Sequence, residues 1–264
     1  MKKRILLWLI LLFGIQTEAQ IPNLNAKLTQ LLDQARTLKL FSGTVVVAYH
    51  GKPIFQVHEG FADWDSKTVF NDSTRFNVGS IGKDFTKVLV LQLIQEKRLA
   101  ADDRLSKFFS NFPKQVADAV TVRHLLTMTS GMGDYLNDPN FDPELHSTIQ
   151  KRIADVIAKA PLLFAPGTDR EYSNSGYVVL GGIIEKVTGQ SYFENVRTRI
   201  LEPLGMSHSF FKFPHDQVRN CATGSIARLS GEIEPESRIS AAFSPASDGG
   251  MFSTALDLLK FDQS

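Results

Sequence analysis

Cysteine and metal-binding motifs are scarce in this sequence. Its 264 residues include one cysteine, Cys221, which excludes an internal disulfide. A lone cysteine is more often a small packed residue than a nucleophile, so we interpret Cys221 as a buried, unreactive thiol. The six histidines form no HExxH motif and no cysteine pair exists, so we expect neither a metal site nor any other cofactor.

An excess of charge of either sign is also absent. Lysine and arginine number 29, aspartate and glutamate number 28, and the net charge at pH 7 is +1. No basic run occurs beyond the first few residues, so charge gives no reason to expect nucleic acid or anionic lipid as a partner. A content of 43% hydrophobic and 22% charged residues is typical of a soluble globular protein and excludes disordered, collagen-like and multi-span membrane proteins.

Long apolar runs are missing, and the longest one, near the N-terminus, is too short to cross a membrane. The basic residues 2–4 precede the apolar residues 5–13, and polar residues begin at Gln16. A membrane-spanning helix needs about 20 apolar residues. Thr17 and Ala19 are small residues at positions −3 and −1 of a cleavage site, so the pattern predicts a secretory signal peptide.

The predicted signal peptide covers residues 1–19 and leaves residues 20–264 as a single domain. No repeat, low-complexity segment or linker divides this domain. We expect the mature protein in the periplasm or outside the cell, without stable insertion into the membrane. An uncleaved N-terminal membrane anchor is the alternative.

Apolar periodicity predicts that this domain begins with a helix and a hairpin and continues mainly as helices. The predicted elements are a helix at 24–38, strands at 44–49 and 54–58, a buried helix from 83, a short helix after Thr121, a helix at 177–187 ending at Gly189, another opened by Ser191, and a last helix capped by Ser253 or Thr254. Two strands alone form a marginal sheet, so the hairpin needs further partners.

One serine lies in a pattern typical of an acylated nucleophile. The sequence has no G-x-S-x-G motif, so nothing in it supports an α/β-hydrolase fold. It does have an S-x-x-K motif from Ser80 to Lys83, directly before the predicted buried helix. At this spacing on a helix start, the ammonium can lie over the hydroxyl, where it and the helix N-terminus favour loss of the serine proton.

A tyrosine farther along the chain can supply the base. In the Y-x-N motif at 172–174, the phenol of Tyr172 can relay the serine proton and the carboxamide of Asn174 can bind a substrate amide. The same pattern occurs at 135–137, in a polar loop, which makes Tyr135 the less favoured alternative.

Other residues that match catalytic patterns are interpreted as structural. The second S-x-x-K motif, from Ser209 to Lys212, lies in a short apolar run without a helix start. His124 belongs to a short amphipathic helix, which favours a structural role over membership of a catalytic triad. Gly249 and Gly250 are interpreted as residues that shape a cleft, through close backbone approach or positive φ.

Six ordered blocks give the chain a family resemblance. One block is the motif around Ser80. The other five lie at 121–126, 129–131, 172–177, 202–206 and 249–254, with the sequences TVRHLL, TSG, YSNSGY, EPLGM and GGMFST, and the third of these contains the Tyr172 motif. From about Gly43 to Phe261 the sequence resembles the serine β-lactamase-related family, which includes class C β-lactamases, D-alanyl-D-alanine carboxypeptidases and esterases.

The resemblance implies a fold and a set of catalytic roles. The implied fold is α/β and β-lactamase/transpeptidase-like: an antiparallel sheet layer flanked by helices, a mostly helical subdomain, and an active site in the cleft. The implied roles are nucleophile for Ser80, activating partner for Lys83, and general base and acid for Tyr172. Asn174 is implied to be a donor that orients the substrate.

One motif of that family is missing from the sequence. Members carry K-[ST]-G or H-x-G on an inner strand, and neither pattern follows Tyr172. The histidine of 58–60 precedes the nucleophile, and the stretch 186–189 has one residue too many. We therefore expect a domain truncated at its C-terminus, without the strands that pair with the hairpin. The resemblance implies two oxyanion donors, of which only the N–H of Ser80 belongs to these residues.

These observations together predict a secreted serine hydrolase. It would act through a Ser80 acyl-enzyme on an amide, ester or β-lactam, and its partner would be a small molecule or a peptidoglycan-type peptide. The alternative is a non-catalytic remnant or a module that binds peptidoglycan or a partner, because the third motif is absent. The sequence does not indicate an oligomeric state.

Overall fold

The chain divides into two compact units, Met1–Phe41 and Ser42–Ser264. The computed structural model describes residues 23–38, 40–214, 216, 218–227, 233–235 and 244–264. The predicted signal peptide and its cleavage site lie outside these residues. Within them, no helix combines the length and the apolar character that crossing a bilayer requires.

The described part of the first unit is one helix, α1 (Leu24–Thr37), which confirms the helix predicted at 24–38. It begins after Asn23, whose backbone has a positive φ of 64°. None of its residues is buried, and Leu31 is 61% exposed.

The second unit is built mainly of helices. They are α2 (Gly82–Gln95), α3 (Lys114–Ala119), α4 (Val122–Leu126), α5 (Ile149–Asp155), α6 (Asn174–Thr188), α7 (Tyr192–Val196) and α8 (Ala255–Asp262). A π-helical turn, Arg197–Leu201, continues α7. Short 3₁₀ turns lie at Gly79–Ile81, Leu105–Lys107, Tyr135–Asn137 and Ile157–Lys159.

Helix ends in this unit follow the capping residues that the sequence provides. Gly189 ends α6 in the left-handed conformation, with φ at 75°. The Ser191 side chain accepts a hydrogen bond from Glu194 N at the start of α7, and Thr254 does the same for Asp257 N in α8. These predicted boundaries are confirmed.

The strands are short apart from one hairpin. They are β1 (Gly43–Tyr49), β2 (Lys52–Glu59), β3 (Phe61–Asp63), β4 (Thr68–Val69), β5 (Phe76–Asn77), β6 (Phe210–Phe211), β7 (Ser225–Ala227), β8 (Ile233–Pro235) and β9 (Met251–Ser253). Strands β1 and β2 pair antiparallel around His50 and Gly51, whose positive φ angles of 46° and 77° suit a type I′ turn. The predicted hairpin is confirmed, and no other strand in the described ranges pairs with it.

A three-stranded antiparallel sheet with the order β5-β9-β6 holds the start of α2. Phe76 pairs with Ser253, and Phe252 pairs with Phe210. Apolar periodicity does not predict this sheet, because strands of two or three residues are too short to show an alternating pattern. The sheet joins three distant parts of the chain just before Ser80.

The core lies around α2 and α6. Phe85, Leu89 and Leu93 of α2 are at most 1% exposed and belong to one apolar cluster with most of α6. The prediction that α2 is buried on nearly every side is wrong in one respect, since Leu91 is 56% exposed. Leu91 lies on the same helix face as Asp84 and Lys87, whose side chains are 52% and 43% exposed.

Candidate active site

Ser80 lies in a tight turn at the entrance to α2. The turn is the 3₁₀ segment Gly79–Ile81, and Gly79 has a positive φ of 51°. Asn77 Oδ1 accepts a hydrogen bond from Gly79 N at 2.9 Å, and Val78 N donates to Met251 O in β9 at 2.9 Å. The serine is therefore held between a sheet edge and the buried helix.

The four predicted site residues meet at this turn. Ser80 Oγ lies 2.6 Å from the hydroxyl oxygen of Tyr172 and 3.1 Å from Lys83 Nζ. Lys83 Nζ also donates to Asn174 Oδ1 at 2.6 Å. The spacing of three residues along the helix start thus puts the amine beside the hydroxyl, and the Y-x-N motif completes the cluster.

Lys83 is buried, with 3% exposure, and has an acceptor on each of three sides. Besides Ser80 and Asn174, it donates to the backbone oxygen of Asp248 at 2.6 Å. An ammonium has three protons, so these contacts use its full donor capacity. Its Nζ lies 4.9 Å and 5.7 Å from the ring centres of Tyr172 and Tyr177, where the ring faces favour a cation.

Tyr172 stands at the mouth of the site and is 49% exposed. It precedes α6, whose N-terminus is capped by the Ser173 side chain accepting from Gly176 N at 3.0 Å. The Ser173 hydroxyl also donates to Gly133 O, and Asn174 Nδ2 donates to Asp134 Oδ2 at 2.7 Å. The helix cap and Asp134 therefore fix the tyrosine and the carboxamide from behind.

The segment 244–250 closes the other side of the turn. A Cβ on Gly249 would lie 2.8 Å from Gly79 O, so only glycine fits there without displacement of the turn that carries Ser80. Two residues before Gly249, Ser247 O accepts a hydrogen bond from Thr86 Oγ1 of α2 at 2.6 Å. The interpretation of Gly249 and Gly250 agrees with these contacts, since Gly250 has a positive φ of 86°.

This geometry can transfer a proton and activate an oxygen. The Ser80 hydroxyl is within hydrogen-bond distance of two groups that can take or steer its proton, the phenol and the amine. The N–H of Ser80 lies in the first turn of a helical segment, where backbone donors have no intrahelical acceptor. A serine with these neighbours is suited to attack a carbonyl carbon.

Comparison with known proteins shows the family of this chain. The sequence pattern of the family described as Beta-lactamase matches residues 25–264. The chain belongs to the beta-lactamase family. Its fold is accordingly the α/β, β-lactamase/transpeptidase-like fold that the sequence predicts, with helices and small antiparallel sheets.

Individual members of the beta-lactamase family cover most of this chain. A penicillin-binding protein of Bacillus subtilis (strain 168) is 29% identical over 236 residues, which are 84% of this chain and 52% of that protein. Esterase EstB of Burkholderia gladioli is 33% identical over 199 residues, 70% of this chain and 50% of the esterase. A class C β-lactamase solved with cefoxitin is 28% identical, with a TM-score of 0.73 over 90% of this chain and 64% of that one. The chain thus spans about half the length of the curated relatives it matches.

The alternative motif copies lie elsewhere in this beta-lactamase-family chain. Tyr135 is 4% exposed, and its hydroxyl donates to Asp248 Oδ2 at 3.0 Å. Ser209 is also buried, and its hydroxyl donates to Asp257 Oδ2 at 2.9 Å. His124 Nδ1 accepts from Thr121 N in the capping box of α4. Each of these side chains thus has structural contacts, in line with the interpretation of Ser209 and His124.

The burial of Cys221 differs from the prediction. The thiol is half-buried rather than buried. Burial raises the pKa of the Cys221 thiol, while Lys212 and Arg75 oppose that effect. A raised pKa lowers the thiolate fraction, which agrees with an unreactive thiol.

Sequence reasoning missed the charged groups behind the site. Arg152 of α5 is 1% exposed, Asp248 is 9% exposed, and both approach the hydroxyl of Tyr135. Burial raises the pKa of the Asp248 carboxyl, against the opposing charges of Arg152 and Lys83. Burial and the Asp248 charge raise the pKa of Tyr135. The only signal for this group was the position of Asp248 directly before the two glycines.

Proposed function

We propose that this protein is a secreted or periplasmic serine hydrolase that acylates Ser80 with an amide, ester or β-lactam. The observation that carries the proposal is the position of Ser80 Oγ within hydrogen-bond distance of both Tyr172 and Lys83. Family membership supports it, because the matched relatives include an esterase and a class C β-lactamase. Export is supported by the basic and apolar N-terminal residues of the sequence.

Acylation would begin with loss of the serine proton. Tyr172 in its phenolate form takes the proton from Ser80 while the serine oxygen forms a bond to the substrate carbonyl carbon. The positive charge of Lys83 and the N–H of Ser80 favour the negative charge that develops. The bond from the carbonyl carbon to the leaving nitrogen or oxygen then breaks, and the leaving group takes the proton from Tyr172.

Deacylation would use water in the same geometry. Tyr172 takes a proton from a water molecule while the water oxygen attacks the carbonyl carbon of the acyl-enzyme ester. Tyr172 then gives this proton to Ser80 Oγ as the acyl group leaves. Asn174 would orient the substrate through its carboxamide, which Asp134 and Lys83 hold in place. Next to Tyr172, a cavity of about 440 Å³ with Leu162 and Leu163 in its wall offers room for part of the substrate.

The direct test is a covalent adduct on the serine. The protein is treated with a fluorophosphonate or a fluorescent penicillin, and its intact mass is measured. We expect one adduct per chain, its loss in Ser80→Ala, and its retention in Ser209→Ala, the matched control from the second S-x-x-K motif. An adduct that survives Ser80→Ala, or no adduct with either reagent on a folded protein, would contradict the proposal.

The second candidate is a protein that binds its ligand without turnover. The observation that favours it is the absence of K-[ST]-G or H-x-G after Tyr172 in the sequence. Hydrolysis of p-nitrophenyl acetate or nitrocefin that disappears in Ser80→Ala would exclude this candidate.

A further inference from the structure

A buried charged group includes the side chain of Asp248, the residue whose backbone oxygen accepts a hydrogen bond from the proposed catalytic lysine. Arg152 and Asp248 approach each other with NH1 and Oδ1 3.9 Å apart. The Tyr135 hydroxyl bridges them: it accepts from Arg152 NH1 at 3.2 Å and donates to Asp248 Oδ2 at 3.0 Å. All three side chains belong to the buried set of this unit, so solvent screens their interaction little.

Arg152 also fixes the backbone of the segment that carries Asp248. Its NH2 donates to Ser244 O at 2.6 Å, and its Nε donates to His146 O at 2.9 Å. One guanidinium thus holds both ends of residues 244–248 and ties them to α5. The planar fork of arginine makes such simultaneous contacts possible, and lysine, with a single charged nitrogen, cannot reproduce them.

The same segment touches the proposed catalytic groups with its backbone. Asp248 O is one of the three acceptors of Lys83 Nζ, and Gly249 lies against the backbone of the Ser80 turn. A shift of residues 244–248 would remove one of the three acceptors of Lys83 Nζ, and the ammonium would then no longer be held in a fixed position. The geometry of Lys83 relative to Ser80 therefore depends on groups that contact neither residue through their side chains.

A purely stabilising role explains this group poorly. Buried ion pairs contribute little to stability, because removal of two charges from water offsets their attraction. Apolar side chains of similar volume would fill the same space without that cost. What the charged group provides is a fixed direction for the Asp248 carbonyl, through bonds of defined geometry.

We propose that Arg152 and Asp248 are positioning residues, which set the Asp248 carbonyl so that Lys83 Nζ points at Ser80 Oγ. This inference rests on the proposed function. Misplacement of a catalytic group by about 1 Å lowers a rate by about 10²-fold. We expect the rate of Ser80 acylation to depend on the Arg152–Asp248 contact, with little change in substrate affinity.

The test measures acylation in single turnovers of the full chain with p-nitrophenyl acetate, per active site titrated with a fluorophosphonate. Asp248→Ala is expected to lower the acylation rate constant about 100-fold. Asp248→Asn keeps an acceptor for the Tyr135 hydroxyl, so its acylation rate constant is expected to be about tenfold higher than that of Asp248→Ala. Arg152→Lys is expected to lower the acylation rate constant by about as much as Asp248→Ala does. The apparent dissociation constant is expected to change less than twofold in each variant.

Two further variants separate positioning from general destabilisation. Asn195→Ala removes a fully buried side chain that bonds to Thr188 and Ser191, far along the chain from Lys83. We expect a lower melting temperature and an unchanged acylation rate constant. Tyr135→Phe, which keeps the buried ring, is expected to slow acylation about threefold to tenfold. If Asn195→Ala slows acylation as much as Asp248→Ala does, or if Asp248→Ala does not slow it, the inference is wrong.

The outcomes distinguish this inference from the proposed function. A wild-type protein that forms no adduct on Ser80 contradicts the proposed function itself. A wild-type protein that acylates normally, together with Asp248 and Arg152 variants that acylate at the wild-type rate, contradicts only the positioning role.

Discussion

The hydroxyl oxygens of Ser80 and Tyr172 lie 2.6 Å apart, although 92 positions separate the two residues in the sequence. A distance this short is typical of a strong hydrogen bond between two hydroxyl groups. It means that a proton can pass between the two oxygens without any movement of the backbone.

Removal of this hydroxyl should therefore slow the reaction without unfolding the protein. Tyr172→Phe keeps the ring beside Lys83 and removes the group that exchanges the proton. We expect the acylation rate to fall about 10²–10⁴-fold, measured as the burst of p-nitrophenol from an activated ester. Tyr49→Phe, on the exposed hairpin, is the control and should acylate at the wild-type rate. A Tyr172→Phe variant with full activity would assign the proton transfer to another group.

The two lysines of α2's first turns offer a matched pair. Lys83 donates to Ser80, whereas Lys87, one turn later, is paired with Asp84 at 2.8 Å on the surface. Lys83→Met preserves the length of the side chain and removes its charge, so we expect acylation to fall at least about 10²-fold. Lys87→Met should leave it unchanged. Equal effects of the two substitutions in single-turnover assays would show that only the overall charge matters.

Substitutions at two glycines distinguish a steric requirement from a conformational one, because Gly249 lacks space for a side chain and Gly205 has the space but a positive φ. Gly249→Ala places a Cβ 2.8 Å from Gly79 O, so we expect a loss of about 1–3 kcal/mol of unfolding free energy and slower acylation. Gly205→Ala meets nothing within 4 Å but has a positive φ of 63°. It should lose about 1 kcal/mol with unchanged acylation. Urea unfolding and the ester assay measure both quantities, and normal acylation by Gly249→Ala would contradict the steric argument.

Ser247 offers a substitution that should stabilise the protein. Its hydroxyl is buried and has no hydrogen-bond partner in the described part of the chain, and the residue packs directly on Gly181 of α6. Ser247→Ala removes an unpaired polar group, so we expect the unfolding free energy to rise by about 1 kcal/mol. Ser253→Ala, which removes a hydroxyl bonded to Ser209 at 2.8 Å, should lower it instead. Thermal unfolding of the two variants compares them, and a destabilised Ser247→Ala would reveal an unseen partner.

One ion pair predicts a pH dependence of stability. A hydrogen bond from Arg199 and, to a smaller degree, one from Arg98 hold the pKa of Glu96 below its usual value. A lowered pKa contributes stability above the unfolded-state value, near 4.5, and this contribution is lost as the pH falls through the folded-state pKa. The difference in unfolding free energy between wild type and Glu96→Gln should thus shrink as the pH is lowered from 6 to about 3. Glu144→Gln is the control, and a difference that grows on acidification would contradict the sign.

Local sequence patterns predict the parts of the site that lie close together in the chain. Ser80 and Lys83 share one helix start, and Asn174 follows Tyr172 at a helix cap, so spacing is sufficient to place each pair. The α1, α6 and hairpin predictions succeed for the same reason, because periodicity and turn residues act over a few positions.

Contacts between distant residues escape such patterns. Nothing in the vicinity of Arg152 indicates that it reaches Ser244 and Asp248, since the pairing depends on how α5 packs in the folded unit. The many apolar residues around Leu91 predict that it is buried, yet its exposure depends on which elements pack against α2. The β5-β9-β6 sheet depends in the same way on three segments that come together only in the tertiary structure.

That sheet sets an order of events during synthesis. A nascent chain that has emerged only as far as Tyr172 contains Ser80, Lys83 and Tyr172, but not Met251, whose backbone oxygen holds the turn before Ser80. The serine therefore reaches its final geometry only after residues 244–253 have been made and have packed onto α2. Covalent labelling of Ser80 would consequently report completion of folding, and a chain interrupted before that stretch would remain unreactive.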